Sequence, residues 1–182
     1  MKNLSPLAER LVLHFGEMGR DWGLSRTASQ ICALLFLSPR PLNADEIAGS
    51  LGLSRSNVGA GLKTLTVARL ILQAPQPGDR REFFTMPDDA WEVLRRFAQE
   101  KRRREIEPTL QFLREGLRDE TAGVASAAER ERMRALYDLL DLLNTWFDDV
   151  QKLSPQTLER LMRLGSRVAR VLDAAIPPGR HE

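Results

Sequence analysis

Between residues 54 and 63 the chain carries Ser54, Arg55, Ser56, Asn57, Gly59 and Lys63. All but the glycine bring side-chain hydrogen-bond donors, and two are cations. Such a set suits a polyanion that also displays polar edges. A guanidinium can pair bidentately with guanine and a carboxamide with adenine, while hydroxyl and ammonium groups suit phosphate. A second group, Asp79, Arg80 and Arg81, follows Pro75-Gln76-Pro77-Gly78, a run of turn residues. Arginines at a loop tip suit a narrow minor groove, where negative potential concentrates. Asp79 cannot bind phosphate directly, but it can brace an arginine or the loop.

These donors read a duplex only if a rigid helix presents them. Val58, Leu62 and Leu65 recur at i, i+4 and i+7 and define a packing face. The opposite face holds Ser56, Ala60, Lys63 and Val67, flanked by Asn57 and Gly59. Ser54 is the cap of this helix, which is expected to reach about Ala68. Before it, Asn43 caps a short helix over Ala44–Leu51, Glu46 completes a capping box, and Gly52 supplies the turn. Ile47, Leu51 and Leu53 give the second helix a surface to pack on. After it, residues 70–74 and 82–86 read as two strands joined by the basic loop. Helix, turn, helix and basic hairpin in this order form a winged helix-turn-helix, a device that holds one helix in the DNA major groove.

The flanks read as helical. Leu4, Leu7, Leu11, Phe15 and Met18 have helical spacing, with Pro6 in the first turn. Ser25 or Thr27 caps a second helix through Ile31, Leu34, Leu35 and Leu37, which ends at Ser38-Pro39-Arg40-Pro41. Pro87-Asp88-Asp89 opens a further helix through Val93, Leu94 and Phe97 to Leu117, which Pro108 should kink or break. A loop is expected over 119–127 and a helix over 128–152, with Met133, Leu136, Leu140, Leu143 and Phe147 on one face. A last helix runs from Ser154-Pro155 to near Asp173. The fold class is mainly α with a small β-hairpin wing. Residues 20–88 form the DNA-binding domain, 1–19 and 89–175 a helical dimerisation and effector region, and 176–182 a disordered tail. Dimerisation is expected because one reading helix covers only part of a DNA turn.

Composition narrows the function classes. Residues 1–104 hold 16 Lys/Arg against 11 Asp/Glu, and residues 105–182 hold 11 against 14, so the basic part coincides with the reading head. The run Lys101-Arg102-Arg103-Arg104 can touch phosphate, but Glu100, Glu105 and Glu107 favour a solvated, ion-paired face. No apolar run approaches a membrane span. With a single cysteine no intrachain disulfide forms, and the cytoplasm is the expected compartment. Cys32 lies on an apolar face and reads as packing. His14 and His181 stand apart, so neither a metal nor a cofactor is expected. The sequence has no phosphate-binding glycine loop, nucleophile elbow or metal-ligand motif, so an enzyme is not expected.

The stretch MGRDWGLSRTASQICALLFLSPRPLNADEIAGSLGLSRSNVGAGLKTLTVARLI, followed by PGDRREFF, resembles the GbsR branch of the MarR-like winged-helix regulators over residues 5–115. The resemblance implies a homodimeric transcription regulator on a palindromic operator in double-stranded DNA. It implies Ser54, Arg55, Ser56, Asn57, Gly59 and Lys63 at the major groove, Arg80 and Arg81 as wing residues, and Asp79 as the wing aspartate. Control of osmoprotectant genes and response to choline-like cations are associated with that group. Such a cation needs an aromatic cage, and nothing in the sequence shows that Trp22, Trp91, Trp146 and Tyr137 converge. The effector is therefore left open. The competing reading is a winged-helix protein interaction adaptor without sequence-specific DNA binding.

Overall fold

The computed structural model describes residues 4–118 and 126–175, and side chains as far as residue 165. The chain divides into two units, residues 1–108 and 109–182. The expected tail at 176–182 and most of the expected loop at 119–127 lie outside the described residues.

The first unit begins with α1 (Pro6–Met18) and α2 (Arg26–Leu37), capped by the hydroxyls of Ser5 and Ser25. Between the two caps proposed from sequence for α2, Ser25 is the one used. The α1 face differs from the expected one. Val12 and Gly16 are buried, whereas Leu7 is 76% exposed. Close approach to α2 selects this face. A Cβ on Gly16 would stand 2.8 Å from Gln30 Cγ, and one on Gly19, just past the helix, 2.3 Å from Ser29 Oγ. The helices meet through small residues, so the large Leu7 is left outside.

Residues Leu42–Asn43 form β1, which sequence did not predict. The helix α3 (Ala44–Leu51) follows under a full Asn43–Glu46 capping box and ends at Gly52, whose φ of 67° is accessible at little cost to glycine. Next come α4 (Arg55–Val67), β2 (Leu72–Gln73) and β3 (Phe83–Thr85). The hairpin is part of a three-stranded antiparallel sheet of order β1-β3-β2, with Leu42 opposite Phe84 and Gln73 opposite Phe84 on the other side. A two-residue strand gives no alternation to read, and its partner lies some forty residues away, so β1 is invisible to local pattern.

The core of this unit joins Ile31 and Leu35 of α2, Ile47 of α3, Val58 and Leu65 of α4, and Leu70 after it. Asp89 caps α5 (Ala90–Lys101), whose Arg96 Nη1 donates to the Arg69 carbonyl at 3.0 Å. A π-helical turn, Arg102–Ile106, then leads into α6 (Glu107–Arg118). Pro108 therefore neither breaks nor ends the helix. Proline has no N–H, and its ring crowds the carbonyl four residues back. The wider turn just before it, in which Glu107 N–H bonds to Arg102 O, absorbs that mismatch.

The second unit contains α7 (Ala127–Gln151) and α8 (Pro155–Ala175). Ser126 and Glu129 form a capping box at the start of α7, and Ser154 Oγ accepts from Thr157 N at 3.2 Å at the start of α8. The α7 face expected from sequence is split. Leu140 and Phe147 are half-buried, while Met133, Leu136 and Leu143 are exposed.

Candidate nucleic-acid interface

The packing face of α4 is the one its spacing implied: Val58, Leu62 and Leu65 are all buried. Gly61 is buried on the same side, where a Cβ would stand 2.7 Å from Ile31 Cδ1. This close approach seats α4 against α2, and the sequence reading missed it. With that side buried, Ser54, Arg55, Ser56, Asn57, Gly59, Ala60, Lys63 and Val67 are exposed together. Ser54 also serves the fold, because its hydroxyl caps α4 by accepting from Asn57 N at 3.3 Å. Among the described residues, no atom beyond its chain neighbours and its own helix backbone lies within 4 Å of a Cβ built on Gly59, so its small size leaves the surface open rather than serving internal packing.

A groove of about 410 Å³ separates this face from the wing. Arg55, Lys63 and Arg81 supply its cations, and Asp45 and Glu82 its acids. The three cations are therefore collected at one groove by α4 and the hairpin. Such a surface attracts a polyanion, and the two acids limit where that attraction acts.

Asp45 was not singled out from the sequence. Its Oδ1 lies 3.3 Å from Arg55 Nε, which ties the first residue of α4 to the first turn of α3. No local spacing rule links residues ten apart across a turn, so the capping box was the only signal near it. That box holds: Asn43 Oδ1 accepts from Asp45 N and Glu46 N, each at 3.0 Å, and Glu46 Oε2 accepts from Asn43 N at 2.9 Å. Glu46 also pairs with Arg40 at 2.7 Å, and that hydrogen bond is the leading cause of a carboxyl held below its ordinary range.

At the wing, Gly78 takes φ 82° and Asp79 N donates to Gln76 O at 3.2 Å, closing the turn. Asp79 does brace an arginine, and it is Arg81. Its Oδ1 accepts from Arg81 N and Nε at 3.0 Å, and Oδ2 pairs with Arg81 Nη2. The side-chain and backbone hydrogen bonds from Arg81 lower the Asp79 carboxyl to about 2. The Arg81 guanidinium also stands 5.6 Å from the Phe83 ring centroid. Arg80 is exposed and makes no hydrogen bond or ion pair among the described residues. The two wing arginines, equivalent in sequence, are thus one braced and one free-ended group.

The other sequence candidates fall elsewhere. Within Lys101–Arg104, Lys101 pairs with Glu105, Arg102 with Glu107 and Arg103 with Glu100. Arg104 Nη1 donates to Gly23 O at 2.7 Å. The run is a paired helix surface, as its glutamates suggested. Cys32 is buried, and burial pushes its thiol up to about 12. It borders an apolar cavity of about 530 Å³ between α1, α2 and α5. Phe15, Trp22 and Phe97 line that cavity in two edge-to-face contacts, with centroids 5.4 and 5.5 Å apart. Of the aromatics weighed from sequence, Trp22 lines this cavity. Among the described residues no group of three or more His, Cys, Asp or Glu could hold a metal. No described helix is long and apolar enough to cross a membrane.

Residues 22–82, from the turn before α2 to the wing, match the MarR family. The fold is similar to the crystal structure of a transcriptional regulator, at 21% identity with a TM-score of 0.67, covering 87% of this chain and 99% of that one. Sco3205, a MarR family transcriptional regulator from Streptomyces coelicolor in complex with DNA, aligns at 22% identity with a TM-score of 0.38, over 65% of this chain and 87% of that one. CouR from Rhodococcus jostii RHA1, bound to p-coumaroyl-CoA, aligns at 15% identity with a TM-score of 0.36, over 66% and 91%. No curated protein matches the chain.

Proposed function

We propose that this chain, whose reading head matches the MarR family, is a transcriptional regulator that binds a palindromic operator as a homodimer. The carrying observation is the groove at which α4 and the wing collect Arg55, Lys63 and Arg81. In this reading residues 20–88 are the DNA-binding domain. Ser54, Arg55, Ser56, Asn57, Gly59 and Lys63 face the major groove. Arg81, oriented by Asp79, and the free-ended Arg80 enter the adjacent minor groove. The helices of 1–19 and 89–175 pair two copies. The protein acts in the cytoplasm, belongs to the GbsR-like branch and performs no catalysis.

The apolar cavity beside Phe15, Trp22 and Phe97 is the place for a small-molecule effector. A ligand there touches α5, and α5 reaches the end of α4 through Arg96 and the Arg69 carbonyl. Occupancy would bias the angle of the reading helix, provided the ligand prefers one of its positions.

A gel shift with the DNA upstream of the protein's own gene tests the function. A salt-sensitive complex that prefers one sequence is expected. Arg55→Ala and Arg81→Ala should each weaken it, by about 1–3 kcal/mol where the arginine reads a base. Binding that ignores both substitutions, or no complex at all, would reject this reading.

A further inference from the structure

We propose that α7 pairs antiparallel with α7 of a second copy, through a seam formed by Leu136, Leu139, Leu143 and Trp146. The proposal rests on the dimeric reading above and names the surface that carries it. The four residues are 47%, 53%, 49% and 57% exposed. Their spacing of three, four and three is the heptad seam of paired helices, and the next seam position is Val150. The flanking Leu142 is 67% exposed. The other side of α7 is already in use: Tyr137, Leu140, Asn144 and Phe147 are half-buried, and Arg114 Nε donates to Tyr137 Oη at 3.3 Å. The helix thus has one face committed within its unit and a second apolar face turned to solvent. A continuous apolar strip of this kind marks an interaction surface.

Charge along the helix selects the occupant and its direction. The amino-terminal part, through residue 134, carries Arg130, Arg132 and Arg134 against two glutamates. The remainder carries Asp138, Asp141, Asp148 and Asp149, with no Lys or Arg before Lys152. Arg132 occupies the seam position before Leu136, and Asp149 flanks the seam after Trp146. Parallel pairing would set Arg132 against the same residue of the other copy. Antiparallel pairing sets Arg132 beside Asp149 of the other copy and matches basic to acidic ends. A second copy of this helix therefore complements it, as a two-fold interface requires. Leu139 then faces Leu143, Leu136 faces Trp146, and the axis passes near Leu142.

Disulfide trapping of the full chain tests the arrangement, since the native Cys32 is buried. Under mild oxidation Leu142→Cys should give a linked dimer. Leu136→Cys should not, because antiparallel pairing holds its two copies about ten residues, or roughly 15 Å, apart along the axis. The reverse pattern overturns the antiparallel assignment. In a second arm, light scattering should show Leu139→Glu/Leu143→Glu as a monomer at concentrations where the parent is a dimer, with helical content retained. If that variant stays dimeric and Leu142→Cys does not link, the seam is wrong while the dimeric regulator stands through other helices. A monomeric parent that still binds its operator overturns the seam and the dimer but not the DNA reading. Linked Leu142→Cys without operator binding supports the seam and rejects the regulator.

Discussion

The carboxylate of Asp45 lies 3.3 Å from the guanidinium Nε of Arg55, although both side chains are largely exposed. A surface pair of this kind adds little stability. In the proposed DNA-binding reading its consequence is orientation, because Arg55 opens α4 and there its fork would have to point one way to pair with a base. The acid also subtracts from general attraction to phosphate. Asp45→Asn should therefore raise affinity for arbitrary duplex DNA by about two- to tenfold at low salt and narrow the ratio of specific to non-specific binding. Fluorescence anisotropy across a salt series reads both quantities. An unchanged ratio would show that Arg55 needs no partner to select its base.

The wing has its own carboxylate with a definite pH signature. Arg81 lowers the Asp79 carboxyl from 3.8 to about 2, through side-chain and backbone hydrogen bonds. A lowered folded-state value favours the folded, ionised form above the ordinary value, and that contribution is lost as pH falls through the lowered one. The brace is thus constant near neutrality and dissolves between about pH 4 and 2. The Arg81 Nε–H resonance should stay slow to exchange at about pH 5–6 in the parent and exchange rapidly in Asp79→Asn. Operator affinity near neutral pH should carry no pH dependence from Asp79. Equal exchange in the two proteins would mean that the hydrogen bonds do not hold Arg81 in solution.

What could be read from sequence was what lies close along the chain. Ser25, Asn43 and Ser54 were recognisable as caps because a cap and the amides it serves are within three residues. The Val58-Leu62-Leu65 face followed from helical period alone. The features that were missed join distant segments. Pairing of Leu42 with Phe84, approach of Gly61 to Ile31 and the Asp45–Arg55 contact all depend on tertiary placement. The two apolar faces of α7 merged into one in the sequence because leucines at 136, 139, 140, 142 and 143 form one continuous arc of roughly 160° around the helix. At the wing, composition showed two adjacent arginines, but only the turn geometry decides which of them Asp79 can reach.

The seat of the reading helix depends on an absent side chain. A Cβ on Gly61 would lie 2.7 Å from Ile31 Cδ1, with Ile31 fully buried. Gly61→Ala gains helix propensity of up to about 1 kcal/mol but overpacks the α2–α4 contact by roughly 1–3 kcal/mol. A net loss of about 1 kcal/mol is expected. Ile31→Val removes the atom in question and costs about 1 kcal/mol alone. The double variant should be more stable than the sum of the two losses implies. Urea unfolding of the four proteins closes the cycle. Strict additivity would show that α4 does not rest on α2 at this point.

The thiol of Cys32 reports on the cavity proposed for an effector. Burial raises it from 9.0 to about 12, and it stands at the cavity wall with Phe36 and Val93. A raised value means that the folded protein keeps its proton where the unfolded chain has lost it. The contribution to stability is therefore complete below pH 9.0 and declines as pH rises toward 12. Thiolate is the reacting form, so a thiol reagent at about pH 8 should modify the native protein far more slowly than a free cysteine, with the rate set by opening of the α1–α2–α5 region. Urea should restore the ordinary rate. A small apolar compound that lowers the labelling rate without denaturant occupies the cavity or stabilises its closed form. Arg96→Met, which removes the donor to the Arg69 carbonyl, separates occupancy from response. The compound should still protect Cys32 in that variant, while its effect on operator affinity shrinks. If protection and operator response are both unchanged, the link from α5 to the end of α4 carries no signal. If labelling is fast in the native state, the cavity is open to solvent and a poor site for an apolar ligand.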